Sequence, residues 1–82
     1  MTVAERNIIA KKMELKKLNN TRLKVGPTEY RIMYEGGVGE YIALYERKND
    51  NQMFRFADGF NAYSMTKDEA LRKAKEITVQ RM

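Results

Sequence analysis

Apolar and polar residues alternate through TEYRIMYE and again through YIALYERK, with the glycine-rich EGGVGE between them, and a shorter alternation returns at MFRF. A period of two is the mark of strands with one face buried. It predicts three strands, at 22–25 with 28–35, then 40–47, then 52–57. Gly26-Pro27 breaks or bends the first, and Asp58-Gly59 is a turn signal that adds a short return strand over Phe60–Ser64. All eight aromatic residues fall between Tyr30 and Tyr63, inside these segments.

Toward both ends the period lengthens to that of a helix. Ala4, Ile8, Leu15 and Leu18 make one stripe on a helix from about Val3 to Leu18, stopped by Asn19-Asn20. Ala70, Leu71, Ala74 and Ile77 make another from about Lys67 to near the C-terminus, with Arg72, Lys75 and Glu76 opposite. Each opens on the same spacing, Thr2-Val3-Ala4-Glu5 and Thr66-Lys67-Asp68-Glu69. In that spacing a threonine hydroxyl and a glutamate carboxylate reciprocally satisfy the free amides of a first turn. The predicted fold class is α+β: residues 1–82 form one small domain, a three- or four-stranded antiparallel sheet with the N-terminal and C-terminal helices packed on one face, in αβββα order.

Three glycines in four positions raise the prospect of a phosphate-binding loop in EGGVGE. Such a loop needs a helix after it, usually opened by Lys-Ser/Thr. EYIALYERK alternates like a strand instead, so the glycines turn a hairpin. A two-residue Gly37-Val38 turn pairs Tyr34 with Tyr41, Ile32 with Ala43 and Tyr30 with Tyr45. A second turn at Asn49-Asp50 pairs Tyr45 with Phe54 and Ala43 with Phe56. This register gathers Tyr30, Ile32, Tyr34, Tyr41, Ala43, Tyr45, Phe54 and Phe56 on one sheet face. Buried beneath the helices they form the core; left open, they offer rings for stacking on unpaired bases. The core reading is the expectation. The opposite face then carries Arg31, Met33, Ile42, Leu44, Met53 and Arg55.

Charge separates along the chain. Residues 1–25 hold seven basic groups against two acidic ones, residues 26–64 four against six, and residues 65–82 five against three. The positive ends suit a polyanion. Chemistry is sparse by comparison. The chain lacks histidine and cysteine, so the commonest general base, the thiol nucleophile and thiolate metal sites are missing. Ser64 has no local base. The expected hairpin sets Glu35 against Glu40 and Glu29 against Glu46, an arrangement that reads as a solvated hairpin before it reads as an acid–base pair. No enzyme activity, cofactor or metal is expected. No run of about 18 apolar residues is present, and Glu5 interrupts any leader-like start, so membrane insertion and secretion are not expected and the cytoplasm is.

The order helix, three antiparallel strands, helix resembles that of double-stranded-RNA-binding domains over most of the chain. In that family a lysine-rich motif opens the second helix and points at phosphates. Thr66-Lys67-Asp68-Glu69-Ala70-Leu71-Arg72-Lys73-Ala74 keeps a first lysine, the alanines and a later lysine, while Asp68 and Leu71 stand at the other basic positions. The resemblance implies an RNA-binding role for Lys67 and Lys73. In general style the chain is similar to small bacteriophage accessory proteins, some of them inhibitors that counter host defences.

Two functions are therefore expected, neither of them enzymatic. In the first, Lys11, Lys12, Lys16, Lys17, Arg22 and Lys24, with Lys67 and Lys73, contact the phosphates of DNA or RNA through a basic N-terminal helix. In the second, the protein is an inhibitor or accessory factor docking on a larger protein. Its contacts would be Ile9 and Met13, which lie opposite the core stripe of the first helix and could also pair it in a homodimer, and Met33, Ile42, Leu44 and Met53 on the outer sheet face.

Overall fold

Thr2 accepts a hydrogen bond on Oγ1 from the Glu5 amide at 3.2 Å, and Thr66 does the same for Glu69 at 3.2 Å, so both helices start where the capping spacing puts them. The structure, a computed structural model, describes residues 2–36 and 39–81. Helix α1 spans Val3–Lys16, strands β1 to β4 span Thr21–Val25, Thr28–Glu35, Tyr41–Arg47 and Arg55–Asn61, and helix α2 spans Lys67–Arg81. The fold is α+β with one antiparallel sheet, ordered β1-β2-β3-β4.

Helix α1 ends before the expected Leu18. The chain turns through Lys17–Asn20, and Asn20 takes a left-handed φ of 69°, a conformation asparagine tolerates better than most residues. Gly26, at φ 61°, and Pro27 close a tight hairpin in which Val25 faces Thr28. The return strand expected after Asp58-Gly59 does not form. Both residues lie inside β4, and Gly59 has the Tyr41 ring directly over its Cα, where a Cβ would collide.

The register of the central hairpin differs from the expected one by a single residue. Tyr34 pairs with Ile42, Ile32 with Leu44 and Tyr30 with Glu46. The two-residue turn expected at Gly37-Val38 lies outside the described residues. The ladder on either side nevertheless leaves five residues, 36–40, between the last pair, Glu35 and Tyr41. A connection with an odd number of residues shifts the pairing by one, and in a strand that sends every side chain to the other face. The single expected aromatic face is therefore split. Tyr30, Ile32, Tyr34, Ile42, Leu44 and Phe60 share the side covered by the helices, while Tyr41, Ala43, Tyr45 and Phe56 share the other. A bulge between Leu44 and Tyr45 shifts the β3–β4 ladder, so Leu44 faces Asp58 and Tyr45 faces Phe56, not Phe54.

The core sits between the sheet and both helices. Leu15, Leu18, Tyr30, Ile32, Ile42, Leu44, Ala62, Ala70 and Ala74 are buried there. Ala70 and Ala74 let α2 approach closely, and Thr78, buried one turn further on, satisfies its hydroxyl by donating to the Ala74 carbonyl at 2.7 Å. Arg81 closes that end on Glu46, with Nη2 to Oε1 at 3.2 Å. Helix α1 contributes only Leu15 to the buried set, and Val3, Ile8, Ile9 and Met13 remain exposed. No helix among the described residues is long and apolar enough to cross a membrane.

Candidate nucleic-acid interface

With both helices on one side, no helix among the described residues covers the other side of the four-stranded sheet. Strand alternation decides which residues reach it. Leu23 packs toward the core, so Arg22 and Lys24 point the other way. The pairings then set Arg22 opposite Arg31, Arg31 opposite Tyr45 and Tyr45 opposite Phe56, a row crossing all four strands. Beside it lie Lys24, Glu29 and Arg47, and on its other side Met33, Ala43 and Gly59. Ala43 is wholly buried although no element packs there, so the larger side chains around it close over it.

Aromatic rings and arginines interleave on this face. Phe54 has the Arg31 guanidinium carbon 4.4 Å and the Arg47 guanidinium carbon 4.7 Å from its ring centre. Such stacking holds a planar cation in place while leaving its edge free to donate hydrogen bonds. Tyr45 and Phe56 meet edge to face, with centroids 6.0 Å apart. Phe56 is 57% exposed, so much of its surface remains open to a partner. Arg31, Met33, Glu35, Tyr45 and Phe54 line a shallow depression of about 270 Å³, below the usual range for an enclosed cofactor site.

The carboxylates of this face are engaged. Tyr45 donates its hydroxyl to Glu35 Oε1 at 2.6 Å, and this bond to a carboxylate, with some burial, raises the Tyr45 phenol above the usual tyrosine range. Arg47 Nη2 lies 3.0 Å from Glu29 Oε1 and 3.7 Å from Asp50. The first contact is electrostatic rather than a well-aligned hydrogen bond, since Glu29 Oε1 has no hydrogen-bond partner among the described residues. Arg31 Nε and Arg47 Nε are likewise buried without one. Arg22 and Arg31, facing each other, have no carboxylate within 4.0 Å among the described residues.

The basic residues singled out in the sequence fall into two groups. Arg22 and Lys24 are on the open sheet face. Lys11, Lys12, Lys16, Lys17, Lys67 and Lys73 belong to the helical side, and several are occupied. Lys11 donates to the Tyr63 carbonyl and lies 5.8 Å from that ring; Lys12 is 3.6 Å from the buried Glu40. Lys17 bonds Glu14 at 2.7 Å, which holds that carboxyl below its usual range, with the Lys67 charge adding a smaller effect. Lys73 lies 5.2 Å from the Phe60 ring, while Lys16 is exposed.

Of the residues expected to bind a protein, Ile9 and Met13 are exposed on α1, Met53 is exposed in the loop before β4, and Met33 lies half-buried on the open face. Ile42 and Leu44 are core, at 0% and 1% exposure, because the one-residue shift turns them under the helices. The same shift separates the carboxylate pairs: Glu35 faces Tyr41, Glu29 faces Arg47 and Glu46 faces Tyr30. Among the described residues no group of three or more acidic side chains is placed to hold a metal ion. Sequence reasoning missed Arg47, Tyr45, Phe54 and Phe56 as surface residues. The signal available was Phe54-Arg55-Phe56, whose spacing marks two rings on one side of a strand.

No family model matches the chain, and no curated protein or solved structure matches it. The functional reading rests on the geometry alone.

Proposed function

We propose that the protein is a non-enzymatic nucleic-acid-binding protein that takes DNA or RNA on the open face of its sheet. The observation that carries this reading is the row Arg22–Arg31–Tyr45–Phe56, in which cations without a carboxylate partner among the described residues adjoin the half-buried ring of Tyr45 and the exposed ring of Phe56. Like charges directly opposite one another destabilise a sheet, and an anion bound between them removes that cost. Phosphate is the anion a guanidinium fork fits best, and Lys24 extends the positive edge along β1. The helical lysines play a smaller part in this reading than the sequence suggests, since Lys11, Lys12 and Lys17 already have partners within the chain.

The test compares the two basic groups. Fluorescence anisotropy with a labelled oligonucleotide, repeated over a range of salt, should give affinity that falls linearly on log axes, with a slope of about −0.7 to −0.9 per phosphate neutralised. Arg22→Glu with Lys24→Glu should abolish binding, and Lys16→Glu with Lys17→Glu should weaken it only slightly. The reverse order would move the interface to α1, and absence of binding at low salt would end the nucleic-acid reading.

A second reading, docking on a larger protein or on a second copy, is favoured by α1 itself. Val3, Ile8, Ile9 and Met13 are 45–73% exposed along one helix, an unusual concentration of apolar surface beside a small core.

A further inference from the structure

We infer that the nucleic acid is single-stranded, with its bases stacking on Phe56 and Tyr45 and its phosphates running along the Arg22–Arg31 side. This rests on the function proposed above and narrows its substrate. Three features of the open face point to it.

The first is width. Outer strand axes of a four-stranded sheet stand about 14 Å apart, three spacings of about 4.8 Å. The major groove of a duplex is about 12 Å wide and admits a helix or a two-stranded ribbon. Tyr45, on β3, lies in the interior of the sheet, so it cannot reach base edges within a groove. A single strand lying across the sheet meets no such barrier, and its bases present whole π faces.

The second is the arrangement of the rings. Phe56 is 57% exposed and meets Tyr45 edge to face, and the Tyr45 hydroxyl in turn donates to Glu35. These two contacts restrain both rings before any base arrives. Phe54 is already stacked by two guanidinium groups and serves to hold them.

The third is charge. This face carries Arg22, Lys24, Arg31 and Arg47 against Glu29, Glu35 and Asp50, four positive groups against three negative, net +1. The three carboxylates lie with Arg47 and Tyr45, away from Arg22 and Arg31. The cations Arg22, Lys24 and Arg31 lie toward the β1 edge, and the exposed ring of Phe56 lies toward β4. A strand with its sugar-phosphate backbone on one side and its bases on the other matches that polarity. An acidic protein partner would match the charge but has no use for a stacking platform at the opposite edge.

The test uses the full chain with labelled oligo-dT and oligo-U of about 12 nucleotides, a length within the range that small sheet-based folds cover. A duplex of equal length serves as comparison. The expected result is tighter binding of the single strands than of the duplex. Phe56→Leu keeps an apolar, uncharged side chain while removing the ring. It should weaken single-strand binding about 5- to 150-fold and leave the salt slope unchanged. Intrinsic tyrosine emission should be quenched on binding, and less so in Tyr45→Phe. If duplex and single strand bind alike and Phe56→Leu changes neither, the inference is wrong while nucleic-acid binding stands. If neither nucleic acid binds at low salt, the function itself is wrong. Binding of an acidic protein alone would have the same meaning.

Discussion

Leu44 and Phe56 stand beside the β3–β4 bulge on opposite faces of the sheet, and truncating each to alanine measures which face is the core. Leu44 is 1% exposed and lies in the core on the side of the sheet that the helices cover. Its replacement removes buried methyl groups and leaves a cavity, so Leu44→Ala is expected to cost about 2–5 kcal/mol. Phe56 is 57% exposed, leaving 43% of its surface covered. Full burial of such a side chain is worth about 1.5–3 kcal/mol, so this fraction accounts for about 0.6–1.3 kcal/mol. The edge-to-face contact with Tyr45 adds about 0.5–1 kcal/mol at a half-open site. Phe56→Ala should therefore cost about 1–2 kcal/mol, well below Leu44→Ala. Domains of this size are stable by about 4–12 kcal/mol, so Phe56→Ala should keep a cooperative transition. Leu44→Ala at the upper end of its range would unfold a domain at the lower end of that stability, itself a larger loss than Phe56→Ala. Urea denaturation followed by circular dichroism gives the two values directly, and each kcal/mol should move Tm by about 4–8 °C. The register expected from a two-residue turn reverses the order, because it puts Phe56 in the core and Leu44 outside. A larger loss for Phe56→Ala than for Leu44→Ala would therefore refute the face assignment, and with it the open platform.

The Tyr45 phenol, raised by its bond to Glu35, should ionise above the usual tyrosine range, and Glu35→Gln should bring that midpoint down. With a folded pKa above the unfolded one, the stabilisation from this bond is complete below the unfolded tyrosine value and is lost as pH rises through the folded one. A phenolate absorbance titration unaltered by Glu35→Gln would discount the bond. Ile9→Lys with Met13→Lys should leave stability within about 0.5 kcal/mol, since both side chains face away from the core. Sedimentation of the same variant tests pairing through α1: a mass equal to the parent's removes that pairing. Thr66→Ala should cost about 1 kcal/mol through the lost cap, and Thr66→Ser should restore most of it.

What the residues alone determined was local. Thr2 and Thr66 fix the helix starts because a capping hydroxyl acts within one turn of chain. Gly26-Pro27 interrupts the first strand because its backbone freedom and restraint are intrinsic to those two residues, while the closure of a hairpin there is seen only in the structure. Alternation located the two central strands for the same reason, since a pleat is set residue by residue, but it ended the last strand at 57 and read a turn at Asp58-Gly59, which lies inside β4. The side of the sheet each strand residue occupies was a different kind of question. The alternation expected through YIALYERK fails over its first half: β3 reads Tyr41-Ile42-Ala43-Leu44-Tyr45, apolar at every position, so its pattern suits either face and cannot choose one. That choice fell to the tertiary structure. A five-residue connection at 36–40 and an extra residue at the bulge each shift pairing by one, and burying Ile42 and Leu44 under Ala70 and Ala74 selects that register. The engagement of Lys11 and Lys12 was equally beyond the sequence, because Tyr63 and Glu40 lie far along the chain and only packing brings them to α1. Local rules gave the strands and caps, while a parity of one residue, settled by long-range burial, placed the arginines and rings together on an open face.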